Sequence, residues 1–494
     1  MIFQLQPNHV RAFGTPEEVQ ALYEELVYDL GEKRGKVQRL CLYNPILGTF
    51  PLGLWREAET ALRSRGVSVI VNDLRRCPAT RRGLPLAWLL PHQREAVEAA
   101  IRLSVTCIDI PTAGGKGEVL AALPMELLCD WLILADDTKV LSQLGDPKVG
   151  RFVKRSGERP GRIGGGLWEE GYRVTVASPA TLDQRWDGNR WDEASQRLFQ
   201  RVRGVIYDEV HMSGSPRSQR ILASIPNAYY WVGFSGTIEG RSDRRDMTVR
   251  SFFGPAGYKV QASVLEAAGV IATQKLVMVR CDQPDQPAYE AGGYQRAVTL
   301  SKVRNGVIAK IWQKEKTGCL TFIRELDHGR YLLRIAQHLG IRAEFVNGEM
   351  DTGPIDRAIT RFERGEIDVL IASDVLKQGA DTIHVYSGIN AAGRKSVIET
   401  IQRRGRAGRI CREANCARCA VMGKKSTATW YAPSRRLGPN ELQNLYSGNG
   451  YAARIIDRMV EDATRCDFKL IGSEKRFDWW SVRSQLDTLG AMQA

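Results

Sequence analysis

The sequence predicts an α/β protein carrying two parallel sheets, preceded by a small N-terminal α/β domain. Three observations carry that prediction. Short apolar runs at 105–110, 131–134, 173–177, 204–207 and 230–234 alternate with amphipathic stretches. A second series follows at 319–323, 342–346 and 369–372. Continuous apolar strands separated by helices belong to parallel sheets covered on both faces. The chain of 494 residues exceeds what one core organises, so two to four domains of about 100–200 residues each are expected.

Residues 1–85 form the first expected domain. Thr15 as N-cap and Pro16 at the first helical position predict a helix over 16–30. A second helix is expected over 55–65, stopped by Gly66, and a strand over 67–71. The stretch 75–85 is rich in Arg and Pro and reads as a linker. The first sheet domain then covers 86–280, up to the turn-rich DQPDQP at 282–287. The second covers 281–494, with a C-terminal extension after 432.

The net charge of +14 points to a polyanionic partner, because Lys and Arg that neutralise phosphates release condensed counterions. Simple solubility is the competing reading. Most of the ten cysteines sit singly in apolar segments, as Cys107, Cys129 and Cys319 do. That predicts reduced, buried thiols and an intracellular, cytoplasmic protein, not a disulfide scaffold. No apolar run approaches the roughly 18 residues of a membrane span, and the N-terminus lacks a signal-peptide pattern, so no membrane association is expected.

Three motifs carry chemistry. Residues 110–118, IPTAGGKGE, follow a strand and precede an apolar helix, the setting of a phosphate-binding loop. Pro111, Thr112, Ala113, Gly114 and Gly115 would cradle phosphate oxygens with backbone N–H groups, at a helix N-terminus that favours negative charge. Lys116 would reach the outer phosphates. A glycine-rich strand-to-helix turn without nucleotide is the alternative for this motif alone. The residue after the lysine, usually a Mg2+-binding Ser or Thr, is Gly117, followed by Glu118, and Ala113 stands where glycine is common. The second motif is an apolar strand ending in Asp208 and Glu209, fitted to hold Mg2+ and to orient or deprotonate an attacking water. The third, QRRGRAGR at 402–409, places Arg406 and Arg409 on one helical face, where they could stabilise a transferring phosphoryl group or simply face solvent or DNA.

With these stand Leu90-Pro-His-Gln93, DEVH at 208–211, Ser235-Gly-Thr237 and SDVLKQGAD at 373–381. In this order the series resembles the motifs of superfamily 2 helicases and covers about residues 86–432. Phe252-Phe-Gly-Pro255 with Tyr258 and the 264–269 segment is most similar to the phage UvsW type and its XPB-like relatives. The resemblance implies two RecA-like lobes with ATP and Mg2+ bound in the cleft between them. It implies that Gln93 reads adenine, that Ser235 and Thr237 couple nucleotide to nucleic acid, and that Gly379 and Asp381 border nucleotide and ribose. It further implies that Gln402, Arg406 and Arg409 close over the γ-phosphate, and that Ser178, Thr181, Arg324, Asn347 and Lys377 contact the phosphate backbone. The implied activity is ATP-dependent helicase or translocase work on duplex, forked or branched DNA, with RNA left open and replication or recombination proteins as partners. The implied setting is phage recombination or repair in the host cytoplasm. Gly117 departs from the family pattern and leaves two alternatives: a nucleotide-gated DNA clamp with weak hydrolysis, or the motor subunit of a nuclease complex.

Two features stand outside that series. Trp186 and Trp191, among charged neighbours, read as packing side chains ahead of a base-stacking wedge. Cys411, Cys416 and Cys419 have the C-x2-C spacing of zinc sites. A structural Zn2+ site wants four ligands, and beyond these three the only downstream candidate is Cys466. Three free thiols in a loop are the competing reading.

Overall fold

The computed structural model describes residues 1–33, 36–78, 80–84, 86–236, 246–281, 298–373, 376, 382–392, 405–413 and 415–435, with short strand pieces at 465–466, 468–469 and 476–477. It divides into two compact units. The first comprises Met1–Pro111 and Gly115–Val260, and the second Thr112–Gly114 and Gln261–Ala494.

The first unit holds an eight-stranded sheet in which every neighbouring pair is parallel except the edge pair Gly161–Gly164 and Leu167–Trp168. Its centre runs from Trp131–Leu134 through Gly204–Asp208 and Tyr230–Ser235 to Val105–Asp109. These strands are buried almost throughout, as their unbroken apolar sequence requires when helices cover both faces. Because the strands are parallel, their C-terminal ends share one edge, where ligands bind in open α/β sheets.

Residues 1–85 carry their own four-stranded sheet, ordered Thr49–Pro51, His9–Phe13, Ile2–Leu5, Ile70–Asp73. It does not stand apart. Phe3, Leu22, Phe50 and Leu62 belong to the same continuous core as Leu132, Val205 and Trp231. Polar ties reinforce this: Arg56 donates to the carbonyls of Leu103 and Val105, and Trp231 Nε1 to that of Pro7.

Three sequence expectations need correction here. The helix expected over 16–30 ends at Glu25, and Val27–Lys33 is a strand paired with Lys36–Cys41. The β-branched and aromatic pair Val27–Tyr28, with Gly31, favours the hairpin over further helix. The stretch expected as a linker is tied down: Arg75 pairs with Asp73 and donates to the Tyr229 carbonyl, and Arg81 pairs with buried Glu126. The division between units falls at Val260/Gln261, ahead of the expected 280/281, because Thr273–Cys281 is a strand of the second sheet.

That second sheet has seven parallel strands, ordered Ala343–Val346, Val369–Ala372, Cys319–Phe322, Ser387–Asn390, Thr427–Arg435, Thr273–Cys281, Arg465–Cys466. Arg304 is buried in the second unit, and its two terminal nitrogens donate to the carbonyls of Asn390, Ala391 and Pro433. No helix among the described residues is long and apolar enough to cross a membrane.

His328, on the helix Leu326–His338, is fully buried, and its Nε2 bonds the Asn305 side-chain oxygen at 2.9 Å. Burial, aided by the Arg304 charge, lowers its pKa to about 4. The unfolded chain therefore takes up a proton near the ordinary value of 6.5 while the folded chain does not. Stability contributed by neutral His328 is present above that value and lost as pH falls toward the folded one. About 2 kcal/mol should go between roughly pH 7.5 and pH 5. Thermal unfolding of wild type and His328→Gln at both pH values checks this; the pH-dependent difference should shrink in the variant.

Candidate functional site

The strand Val105–Asp109 delivers the loop at 110–115 to the C-terminal edge of the first sheet, and the helix Lys116–Glu126 leaves from it. That helix is buried on nearly all sides, which explains its lack of a polar face. Its N-terminus, where the helix dipole favours negative charge, begins at the loop. Pro111, Thr112 and Gly114 lie along the loop. Gly115 has φ +85°, and Ala113 adopts φ 73°, a left-handed conformation costing a non-glycine residue about 1–2 kcal/mol. Gln93 is buried against this loop. Its Oε1 accepts from the Leu90 N–H at 2.9 Å and its Nε2 reaches the Gly115 carbonyl at 3.5 Å. A Cβ on Gly115 would collide with that amide, so conformation and space both demand glycine.

Lys116 Nζ bonds Glu209 Oε1 at 2.7 Å. Burial works against the lysine charge, but Glu209 and then Asp208 more than offset it, and its pKa is raised. Burial likewise opposes the Glu209 charge, and Lys116 followed by His211 reverses the effect, so the Glu209 pKa is lowered. Asp208 is different. Burial, followed by the Glu209 charge, raises its pKa to about 6. Its Oδ1 is buried with no hydrogen-bond partner among the described residues. An orphaned carboxylate oxygen beside a second carboxylate is a fit for a hard divalent cation such as Mg2+.

Glu209 takes a left-handed backbone, φ 52° and ψ 57°, between the strand and the turn Val210–Gly214. Strain of this kind concentrates at functional sites. The second Glu209 oxygen accepts from Ser235 Oγ at 3.2 Å and lies 3.4 Å from His211 Nδ1, which is 3.1 Å from Ser235 Oγ. The acidic pair, the histidine and the Ser235 strand end thus form one connected cluster with the phosphate loop.

A residue absent from the sequence expectations occupies the place of the usual Mg2+-binding hydroxyl. A Cβ on Gly117 would overlap the Arg151 guanidinium. Arg151 opens the short helix Arg151–Ser156, and its Nε lies 3.1 Å from Glu118 Oε1. Arg155 holds the other Glu118 oxygen at 3.0 Å. Glu118 therefore fixes a cation against the first turn of the phosphate-loop helix. Nothing local in the sequence pairs Arg151 with Gly117.

The remaining expected residues are spread more widely. Ser178 is buried at the start of the short helix Pro179–Asp183, which contains Thr181. In the second unit Arg324 is exposed after the strand Cys319–Phe322, while Asn347 is buried, its Oδ1 accepting from the Glu349 N–H at 2.9 Å. Arg406 is buried and Arg409 half-buried. Thr237, Lys377, Gly379, Asp381 and Gln402 lie outside the described residues. Trp186 and Trp191 pack together at 5.1 Å between ring centroids, with Trp191 buried and bonded to Ser224 Oγ at 2.7 Å. Cys411, Cys416 and Cys419 gather in the second unit around His384.

A glycine-bearing phosphate loop facing an acidic strand end, on one of two parallel sheets, defines a P-loop nucleotide-binding protein of the RecA-like class. Family models match in two stretches: "Type III restriction enzyme, res subunit" over residues 88–240 and "Helicase conserved C-terminal domain" over residues 304–411. Among curated relatives, the DNA 3'-5' helicase XPB of Kineococcus radiotolerans is 28% identical over 387 residues, covering 75% of this chain and 65% of that protein. The ATP-dependent RNA helicase SrmB of Escherichia coli is 29% identical over 119 residues, 24% of this chain and 27% of that protein. The chain thus spans less than two thirds of the length of these relatives. A fragment assigned as the HsdR subunit of a type I restriction enzyme from Vibrio vulnificus shares the fold, with a TM-score of 0.53 at 17% identity over 85% of this chain and 74% of that one. The two helicase-type family matches fall in order on the two sheet-bearing regions, and the chain is similar to superfamily 2 helicases of the XPB type.

The Gly117–Arg151 contact is testable by a double-mutant cycle. Gly117→Thr should displace Arg151 from Glu118 in the wild-type background and cost less when Arg151→Ala is already present. The expected coupling is about 0.5–1 kcal/mol by urea unfolding, whereas additive effects would mean that the two positions do not meet.

Proposed function

We propose that the chain is an ATP-driven DNA translocase or helicase. The observation that carries the reading is the Lys116–Glu209 ion pair beside Asp208 with its orphaned Oδ1, on a superfamily 2 fold. Lys116 leaves Glu209 for the outer phosphates of ATP, with Gln93 beside the loop for the adenine. Asp208 is the residue to hold Mg2+, which when bound neutralises phosphate charge. Release from Lys116 frees Glu209 to orient or deprotonate the attacking water. Ser235 and His211, bonded to each other and to Glu209, sense that change at the end of the neighbouring strand. Arg406 and Arg409 act on the γ-phosphoryl, joined by Gln402, Gly379 and Asp381 as further nucleotide contacts.

DNA is favoured as the track by the net charge of +14 and by similarity to a relative named as a DNA 3'-5' helicase. Ser178, Thr181, Arg324, Asn347 and Lys377 are the proposed phosphate contacts, and Thr237 couples them to the nucleotide with Ser235. Residues 1–85 add duplex grip, supported by the exposed Arg39 on the hairpin formed by Val27–Lys33 and Lys36–Cys41. Remodelling of forked or branched duplex is the narrower form of the proposal.

A second reading has its own observation. With Gly117 offering no hydroxyl and Arg151 in its place, the chain could bind ATP as a gate for DNA binding and turn it over slowly. Phosphate release from ATP and Mg2+, with and without forked duplex, separates the two. The motor gives DNA-stimulated turnover that Glu209→Gln lowers by about 100- to 10,000-fold. A clamp gives ATP-dependent DNA binding with turnover no higher than that variant. Equal stimulation by RNA and DNA would remove the DNA assignment, and a nuclease partner co-purifying with the chain would make it a motor subunit.

A further inference from the structure

The sequence offers three clustered cysteines and no fourth ligand beside them; the fold supplies one from upstream. His384 lies just before the strand Ser387–Asn390. Its Nε2 is 3.2 Å from Cys416 Sγ and 3.6 Å from Cys419 Sγ. With Cys411, the four ligand atoms all lie within 4.8 Å of one another. Cys416 caps the helix Ala417–Met422 and Cys419 sits within it, so the C-x2-C pair is presented by one turn of backbone. A tetrahedron with metal–sulfur bonds of about 2.3 Å has edges of about 3.8 Å, close to the two observed sulfur–nitrogen separations.

The surroundings are built for a ligating histidine. Glu363, on the helix Thr352–Arg364, places Oε2 at 2.7 Å from His384 Nδ1, and its Oε1 accepts from the Ile383 N–H at 3.0 Å. A carboxylate at Nδ1 holds the proton there and leaves the Nε2 lone pair toward the sulfurs, the arrangement of carboxylate–histidine–zinc triads. Lys425 Nζ bonds the carbonyls of Ile383 and Val385, on either side of His384, at 2.7 and 3.0 Å. The imidazole is therefore fixed through its ring and through both flanking peptides. A thiolate-rich set with one imidazole selects zinc over the hard cations, and four protein ligands leave no open position for catalysis.

We propose that His384, Cys411, Cys416 and Cys419 form a closed structural Zn2+ site in the second unit. Cys411 follows Arg409 by two residues, so the site pins the exit of the arginine-bearing segment to the strand-end loop at 382–386 and to the helix carrying Glu363. The proposal stands independently of ATP turnover.

The full-length chain, purified without chelator, should carry close to one zinc per molecule by elemental analysis. Exchange of that zinc for Co2+ should give thiolate-to-cobalt charge transfer and the visible bands of a tetrahedral site. His384→Cys should keep the metal with a cobalt spectrum shifted toward four sulfurs. Glu363→Gln should keep the site but bind Co2+ about 10- to 100-fold more weakly. A folded wild-type chain that contains no zinc and gives no thiolate–cobalt band on Co2+ addition would overturn the proposal. That wild-type measurement decides the matter whether or not the variants fold.

Discussion

The ion pair between Lys116 and Glu209 is the constraint around which the first unit is arranged. It joins the start of one helix to the end of a strand far away in the chain, and it exists only because both sit at the C-terminal edge of the same parallel sheet. Parallel order fixes that edge, and complete burial of the strands fixes their register against the covering helices. The loop before Lys116 accepts left-handed backbone at Ala113 and Gly115, and Glu209 accepts it on the opposite side. Within the cluster the Lys116 charge is held against burial by Glu209 and then by Asp208. Asp208 Oδ1 has no hydrogen-bond partner among the described residues, the observation behind its proposed role as the divalent-cation ligand.

Gly117 gives the site its individual character. The fold does not leave the missing hydroxyl's place open; Glu118 steers the Arg151 guanidinium into it. A cation there supplies positive charge next to the phosphate loop without coordinating a metal. The departure from the usual Ser or Thr is thus accompanied by a guanidinium fixed beside the phosphate loop.

The sheets were legible in the sequence to the extent that burial was complete. Trp131–Leu134 and Val369–Ala372 are continuous apolar runs and stand where their sequences put them. Thr273–Cys281 escaped because its apolar stretch is short, polar at the start and close to the turn-rich 282–287 segment. Thr427–Arg435 includes Pro433 and several hydroxyls, and Ser387–Asn390 contains only one strongly apolar residue. Lys116, Asp208 and Glu209 could be read because each belongs to a local motif with its own spacing. Arg151 and His384 could not, since what gives them meaning is a neighbour brought close only by tertiary folding. The same holds for the N-terminal sheet, whose composition reads as a separate domain while its core residues run into those of the larger sheet.

In the proposed cycle Lys116 exchanges Glu209 for nucleotide phosphates. The most direct measurement is a structure of the chain with a non-hydrolysable ATP analogue and Mg2+. The account predicts phosphate oxygens at Lys116 Nζ, the metal at Asp208, and Glu209 released toward the position of the attacking water. A nucleotide bound with the Lys116–Glu209 pair intact, or with its phosphates away from residues 110–117, would contradict it.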